Sequence, residues 1–323
     1  MMMPVKKSVA LIGAGVSGLT CGVVFAEAGY RATIFADQVG MKTTSAAAGA
    51  IWFPYDAEPA EAVIAWALET YGVLAELARD SGSGVSMIEL RTVARSSEIQ
   101  IPDWAHPLGA RTLDVATGLR LVFQSGFVLQ VPLTDTTIYL DYLAERFHAA
   151  GGNICGGVRF GKVEEVDAAF DLIINCAGIG ACTLVPDPSV EPHRGQVALV
   201  PKLDLEYAIV CDDTPLMYAI PRAHDCVFGG TNDLSDNSES DPASTDRIVA
   251  ECSCVLGIAR PEVLGARVGL RPFRQTGVRV TAERTSDGRA LIHNYGHGGS
   301  GFTLSWGCAR QVLDLVSAAQ KPR

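Results

Sequence analysis

Gly13, Gly15 and Gly18 stand at GxGxxG spacing directly after the apolar run Val9-Ala10-Leu11-Ile12, and this spacing implies a definite chemistry. The first glycine lets the chain turn tightly, the second lets a pyrophosphate approach the backbone, and the third lets the following helix lie close to a sheet. With Ala14, Val16 and Ser17 they form a helix start whose N–H groups face phosphates. Asp37 follows about 20 residues on, where a carboxylate holds a ribose hydroxyl and disfavours the 2′-phosphate of NADP. Late in the chain, Gly298-Gly299-Ser300-Gly301-Phe302-Thr303 precedes an apolar helical run and makes a second anion-binding helix N-terminus. No Ser/His/Asp or paired-carboxylate arrangement asserts itself. The nine cysteines lack CxxC pairs and metal spacing. The chemistry implied is that of a bound dinucleotide.

The elements that must position these residues can be read from periodicity. Val16 to Ala28 suits a helix ended by Gly29, and Arg31 to Ala36 returns as a strand. After Gln38, the small and hydroxyl residues Thr43, Thr44, Ser45, Gly49 and Ala50, leading into Ile51, let backbone approach a ligand closely. Glu58 to Ala78 has helical spacing. Ser86 to Arg95 and Leu119 to Val131 read as strands. Asp135 can cap a helix running to Gly151-Gly152. The strand Asp171 to Asn175 ends in Cys176, Ala177 and Gly178, small residues that leave room at a sheet edge. Residues 216–231 suggest a hairpin, and Ser244 or Thr245 could cap a helix from Asp246 to Gly257. Residues 266–274 are expected to cross back to the nucleotide domain. The fold class is α/β: a Rossmann-type dinucleotide-binding domain with a discontinuous strand-rich α+β substrate domain. The expected boundaries are 1–55, 133–190 and 266–323 for the first, with 56–132 and 191–265 for the second.

Composition bounds the class. A chain of 323 residues holds about two domains. Its net charge of −10 gives no electrostatic reason to expect nucleic acid or an anionic membrane as partner. No apolar run reaches the roughly 18 residues of a membrane span. The scattered cysteines read as reduced, mostly buried thiols of a cytoplasmic protein.

Three stretches carry a resemblance: TTSAAAGAIWFPY at 43–55, the small-residue strand end at 171–180, and HNYGHGGSGFTLSWGCA at 293–309. Together they resemble the D-amino-acid oxidases, in a bacterial, cytoplasmic form, since Gln320 to Arg323 is not an SKL tail. The resemblance implies non-covalent FAD, with Val163 among its contacts. It implies that Arg271, in GLRPFR, pairs with the substrate carboxylate, that Tyr218, in MYAIPR, hydrogen-bonds the same group, and that the backbone at Gly299 and Ser300 meets the substrate amine. A planar guanidinium suits that task because it gives a carboxylate two parallel charge-assisted hydrogen bonds. The implied reaction moves hydride from the Cα of a D-amino acid to flavin, with dioxygen as oxidant. The protein need supply no base once the amine is neutral.

Departures from the family pattern bear on substrate. Thr214 stands where mammalian members carry a second tyrosine, and Phe53 replaces a polar residue, which favours neutral or apolar side chains. Asp212 and Asp213 favour basic substrates instead. Two rivals stay open: a glycine, secondary-amine or biosynthetic amine oxidase of the same fold, and a non-catalytic flavoprotein. An NAD-dependent dehydrogenase fits the first glycine turn but not the second. A homodimer is compatible with this reading, but no residue pattern sets the oligomeric state.

Overall fold

The computed structural model describes residues 7–55, 57–115 and 123–319. The tail 320–323 and the beginning of the expected strand at 119–131 lie outside them. Two sheets organise the chain. The first has six strands in the order Arg279–Arg284, Ala290–Tyr295, Leu172–Asn175, Ser8–Ile12, Arg31–Ala36 and Asn153–Gly156. All neighbours run parallel except the Arg279–Arg284 edge strand. Ser8–Ile12 lies near the middle with every residue buried, as its unbroken apolar run requires.

The second sheet has nine strands and contains Met217–Pro221, which carries Tyr218. Its longest member, Val190–Pro201, pairs on one side with Asp225–Gly229 and on the other with Gly265–Arg274. Residues 266–274 are thereby a strand of the second sheet, in antiparallel register with 190–198. The far end of this strand reaches the late glycine turn, where Pro272 O accepts from Gly298 N at 3.0 Å and Phe273 bridges to His297. The helix Ala60–Leu77 packs on the closing helix Gly301–Ala319, where Thr70 Oγ1 accepts from Gly307 N at 3.0 Å. One correction concerns the helix Pro242–Leu256. Its cap is Asp241, which accepts from Ala243 N and Ser244 N. A proline at the first helical position has no N–H to satisfy, so the start falls there rather than at Ser244 or Thr245. Asp135 caps Thr136–Ala149 as expected, accepting from Thr137 N at 3.0 Å.

Asp187 ties the two sheets together. Its Oδ2 accepts from Arg274 Nε at 2.9 Å and from Tyr295 Oη at 2.8 Å, residues that end one strand of each sheet. Burial opposes its ionisation, yet hydrogen bonds from Ser189, Arg274 and Tyr295 hold it well below the usual carboxylate range. A carboxyl whose pKa falls on folding stabilises the protein above its unfolded pKa of about 3.9 and loses that contribution as pH drops further. In urea titrations, D187N should therefore cost about 3 kcal/mol at neutral pH and lose less stability than the wild type below about pH 4.

Candidate functional site

A cleft of about 500 Å³ runs between the two sheets. At its floor, Gly13 has φ +111°, and its N–H donates to Phe35 O at 2.8 Å. A Cβ there would lie 2.3 Å from Cys176 O, and one at Gly18 would lie 1.9 Å from Gly13 O. The fingerprint helix Val16–Glu27 starts with no side-chain cap and no acid in its first turn, which leaves its positive end for a ligand. Ala14, Gly15, Val16 and Ser17 line the cleft; Gly18 stands behind them, where close packing needs it. Asp37 and Gln38 line it beyond the second strand, with Arg159 Nη1 3.7 Å from the Asp37 carboxylate.

One wall is the loop 43–51, with Thr43, Thr44, Ser45, Gly49, Ala50 and Ile51 all at its surface. Ser45 Oγ accepts from Val16 N at 2.9 Å and so fastens this loop to the helix start. Ala50 has φ +52°, the one positive φ outside glycine among the described residues. Its carbonyl is held by Thr134, from N at 3.1 Å and from Oγ1 at 2.8 Å. Such strain persists only where the surroundings enforce it, and it clusters at functional sites. Cys176 and Gly178 line the cleft at the end of the strand Leu172–Asn175. The Cys176 thiol is pushed well above its ordinary pKa, first by its hydrogen bond with Cys21 and then by burial, so it is no nucleophile.

The late glycine turn contributes Gly298, Gly299, Gly301, Phe302 and Thr303. Ser300 does not line the cleft. Its Oγ accepts from Tyr55 N at 3.1 Å and donates to Tyr55 O, while Thr303 Oγ1 bonds Phe53 through N at 3.2 Å and O at 3.0 Å. These hydroxyls brace the segment 53–55, whose Phe53 and Tyr55 reach the cleft. Val163 is also elsewhere. It packs with Ala10, Ile173 and Leu184 beneath the first sheet, and Val158, Arg159 and Phe160 line the cleft instead.

The structure brings Arg271 and Tyr218 into the same cleft from different strands. Arg271 lies over Gly195, so closely that a Cβ on Gly195 would sit 2.4 Å from its Cζ. Its Nη1 donates to Thr231 O at 2.8 Å and to Asn232 Oδ1 at 3.2 Å. Among the described residues no carboxylate forms an ion pair with it. The Tyr218 ring lies against Gly229 and Gly230. Burial raises the Tyr218 pKa against the pull of Arg271, so the phenol stays a donor. His297 also lines the cleft, buried and with its pKa lowered to about 4 by that burial. Its Nε2 meets Asn294 Oδ1 at 3.1 Å, which makes it a donor to that oxygen. Gly195, Asn232, Leu216 and Ile220 complete this end of the cleft and carried no signal in the sequence.

Two helix N-termini, a glycine cradle against which a Cβ would clash, and an acid at the ribose position fit a dinucleotide, and the cleft continues past them to an arginine with neutral partners. Among the described residues no cluster of His, Cys, Asp and Glu could hold a metal ion, and no helix is long and apolar enough to cross a membrane. Comparison with known proteins agrees with this geometry. Residues 8–315 match the family described as DAO, FAD dependent oxidoreductase. The chain is 37% identical over 322 residues to a D-amino-acid oxidase of Rubrobacter xylanophilus, covering 96% of this chain and 95% of that one. It is 37% identical over 320 residues to a D-amino-acid oxidase of Streptomyces coelicolor, covering 96% of each. The crystal structure of glycine oxidase from Geobacillus kaustophilus superposes with a TM-score of 0.80 at 17% identity, over 97% of this chain and 95% of that one. The chain belongs to the DAO family of FAD-dependent oxidoreductases.

Proposed function

We propose that this enzyme is a D-amino-acid oxidase for substrates with neutral, largely apolar side chains, working with dioxygen and yielding 2-oxo acid, ammonia and hydrogen peroxide. One observation carries the reading. In an end of the cleft lined also by Phe53, Leu216 and Ile220, Arg271 is oriented by neutral partners, and its charge is left for a carboxylate. When bound, FAD would supply the acceptor for the Cα hydrogen and its electron pair, with dioxygen as the final oxidant. The glycine turn at 13–18 and the loop 43–51 would hold the cofactor. Arg271 and Tyr218 hold the carboxylate, and the backbone at Gly299 lies opposite for the amine. Phe53, Leu216 and Ile220 surround the side chain and keep water from it. Fixing carboxylate and amine at two points orients Cα, and that placement is the catalytic contribution of the protein.

The test is anaerobic: D- and L-amino acids, glycine and sarcosine are added to FAD-loaded protein and the visible flavin absorbance is followed. Bleaching by D-alanine and larger apolar D-isomers, reversed by air with peroxide release, is the expected result. Faster bleaching by glycine or sarcosine would replace it with an amine-oxidase reading, and a flavin untouched by any of them would end it.

The site also sets a pH profile. His297 is neutral above about pH 4, and Tyr218, raised by burial, keeps its proton. Neither side chain changes charge in the interval of about pH 5–8 where an ordinary histidine would. The ratio kcat/KM should therefore climb with pH as the substrate ammonium loses its proton, with no inflection near 6.5. A distinct limb there, abolished in H297Q, would assign His297 a proton-transfer role that this geometry denies it.

A further inference from the structure

The Arg271 guanidinium is oriented before any ligand arrives. Its Nη1 donates to Thr231 O at 2.8 Å and to Asn232 Oδ1 at 3.2 Å, and Gly195 floors the group. Thr231 is itself fixed, for its buried Oγ1 accepts from Gln196 N at 2.9 Å and donates to Arg194 O at 3.2 Å. Both Nη1 protons are thus engaged, and the protons on Nη2 and Nε are shared between the Tyr218 hydroxyl, which hydrogen-bonds with Arg271, and a ligand. A guanidinium has donors and no acceptor, so Asn232 can face it only with its carbonyl oxygen. The amide orientation follows from that chemistry.

We propose that Asn232 is a positioning residue for the substrate carboxylate, holding the turn of the Arg271 guanidinium with a neutral oxygen that leaves the positive charge unspent. This rests on the reading of Arg271 as the carboxylate anchor. The amide is what matters. An aspartate has the same shape and the same acceptor but adds a charge, and it would form an ion pair with Arg271 and compete with the substrate for it. An alanine removes one of two acceptors and lets the group swing without competition. A residue that only supported the local fold would make these two variants alike.

Propionate, titrated into the oxidised FAD-loaded protein and followed by the visible flavin absorbance, gives a carboxylate Kd with no turnover. D-Alanine kinetics then give KM and kcat separately. In N232D, both Kd and KM should rise about tenfold or more, with kcat falling far less, and in N232A both should rise only about threefold. Unchanged Kd in N232D would overturn the proposal, as would equal losses in N232D and N232A. The expected propionate Kd shifts in a protein that oxidises no D-amino acid would keep Asn232 in this role and remove the proposed substrate class. A wild type to which propionate does not bind would overturn both.

Discussion

Replacing Arg271 with methionine should lower kcat/KM for D-alanine by roughly 10²–10³-fold, equivalent to about 3–4 kcal/mol, while FAD is still taken up at full occupancy. The size follows from the surroundings. The guanidinium is half-buried over Gly195, its acceptors Thr231 O and Asn232 Oδ1 are neutral, and its charge has no protein counter-ion among the described residues. Removing it leaves a substrate carboxylate in a partly desolvated pocket facing only the Tyr218 hydroxyl. A single phenol cannot supply two parallel charge-assisted bonds. Lysine should recover no more than about tenfold, because a compact ammonium restores the charge without the planar fork. Methionine roughly matches the volume, so the strand Gly265–Arg274 should keep its register with Val190–Pro201. Stopped-flow reduction of the flavin by D-alanine, run beside a measurement of flavin content, separates the two roles. R271M reduced within threefold of the wild-type rate at low substrate would mean that the carboxylate is held elsewhere.

The parts of this site that sequence made legible are those built by local rules. The glycines at 13, 15 and 18, the acid at 37 and the late turn at 298–303 each act within one strand–turn–helix, where spacing fixes geometry. The strand Gly265–Arg274 behaved differently. Its residues show what element they form, but its partner, Val190–Pro201, is some 75 residues away in sequence and equally apolar partners existed in the first sheet. Pairing of that kind is decided by packing of the whole chain, and it places Arg271 on the second sheet. The side-chain bonds of Ser300 and Thr303 are hidden from sequence for a similar reason. A serine in a glycine-rich turn beside a phosphate site looks like a ligand contact, yet it binds Tyr55, 245 residues earlier. Gly195 and Asn232 had no signal at all, since each matters only through its distance from Arg271. Val163 came from resemblance alone, and its burial beneath the first sheet puts its side chain out of reach of the cleft.

Gly18→Ala is the second substitution with a large expected effect, and it works through the cofactor instead of the substrate. The added methyl would begin 1.9 Å from Gly13 O, a backbone atom, so no rotamer relieves the contact and the helix Val16–Glu27 must move off the turn. Gly13 cannot yield in the other direction. Its φ of +111° and its own clearance from Cys176 O tie it to the strand Leu172–Asn175. Moving the helix start by an ångström withdraws its N–H groups from the pyrophosphate and pulls Val16 N away from Ser45 Oγ, which loosens the loop 43–51 as well. Overpacking of this kind costs about 3 kcal/mol, and because the strain is relieved mainly by giving up the bound geometry, FAD affinity should fall roughly 100-fold. Gly29→Ala is the control. Gly29 ends the same helix at φ +91° with nothing near a Cβ, so its substitution strains the backbone by about 1 kcal/mol without touching the turn. Quenching of flavin fluorescence on titration into apoprotein reads the affinity, and circular dichroism checks the fold. G18A that retains stoichiometric FAD through dialysis, with wild-type affinity, would show that the turn tolerates a displaced helix and that the loop 43–51 carries the binding.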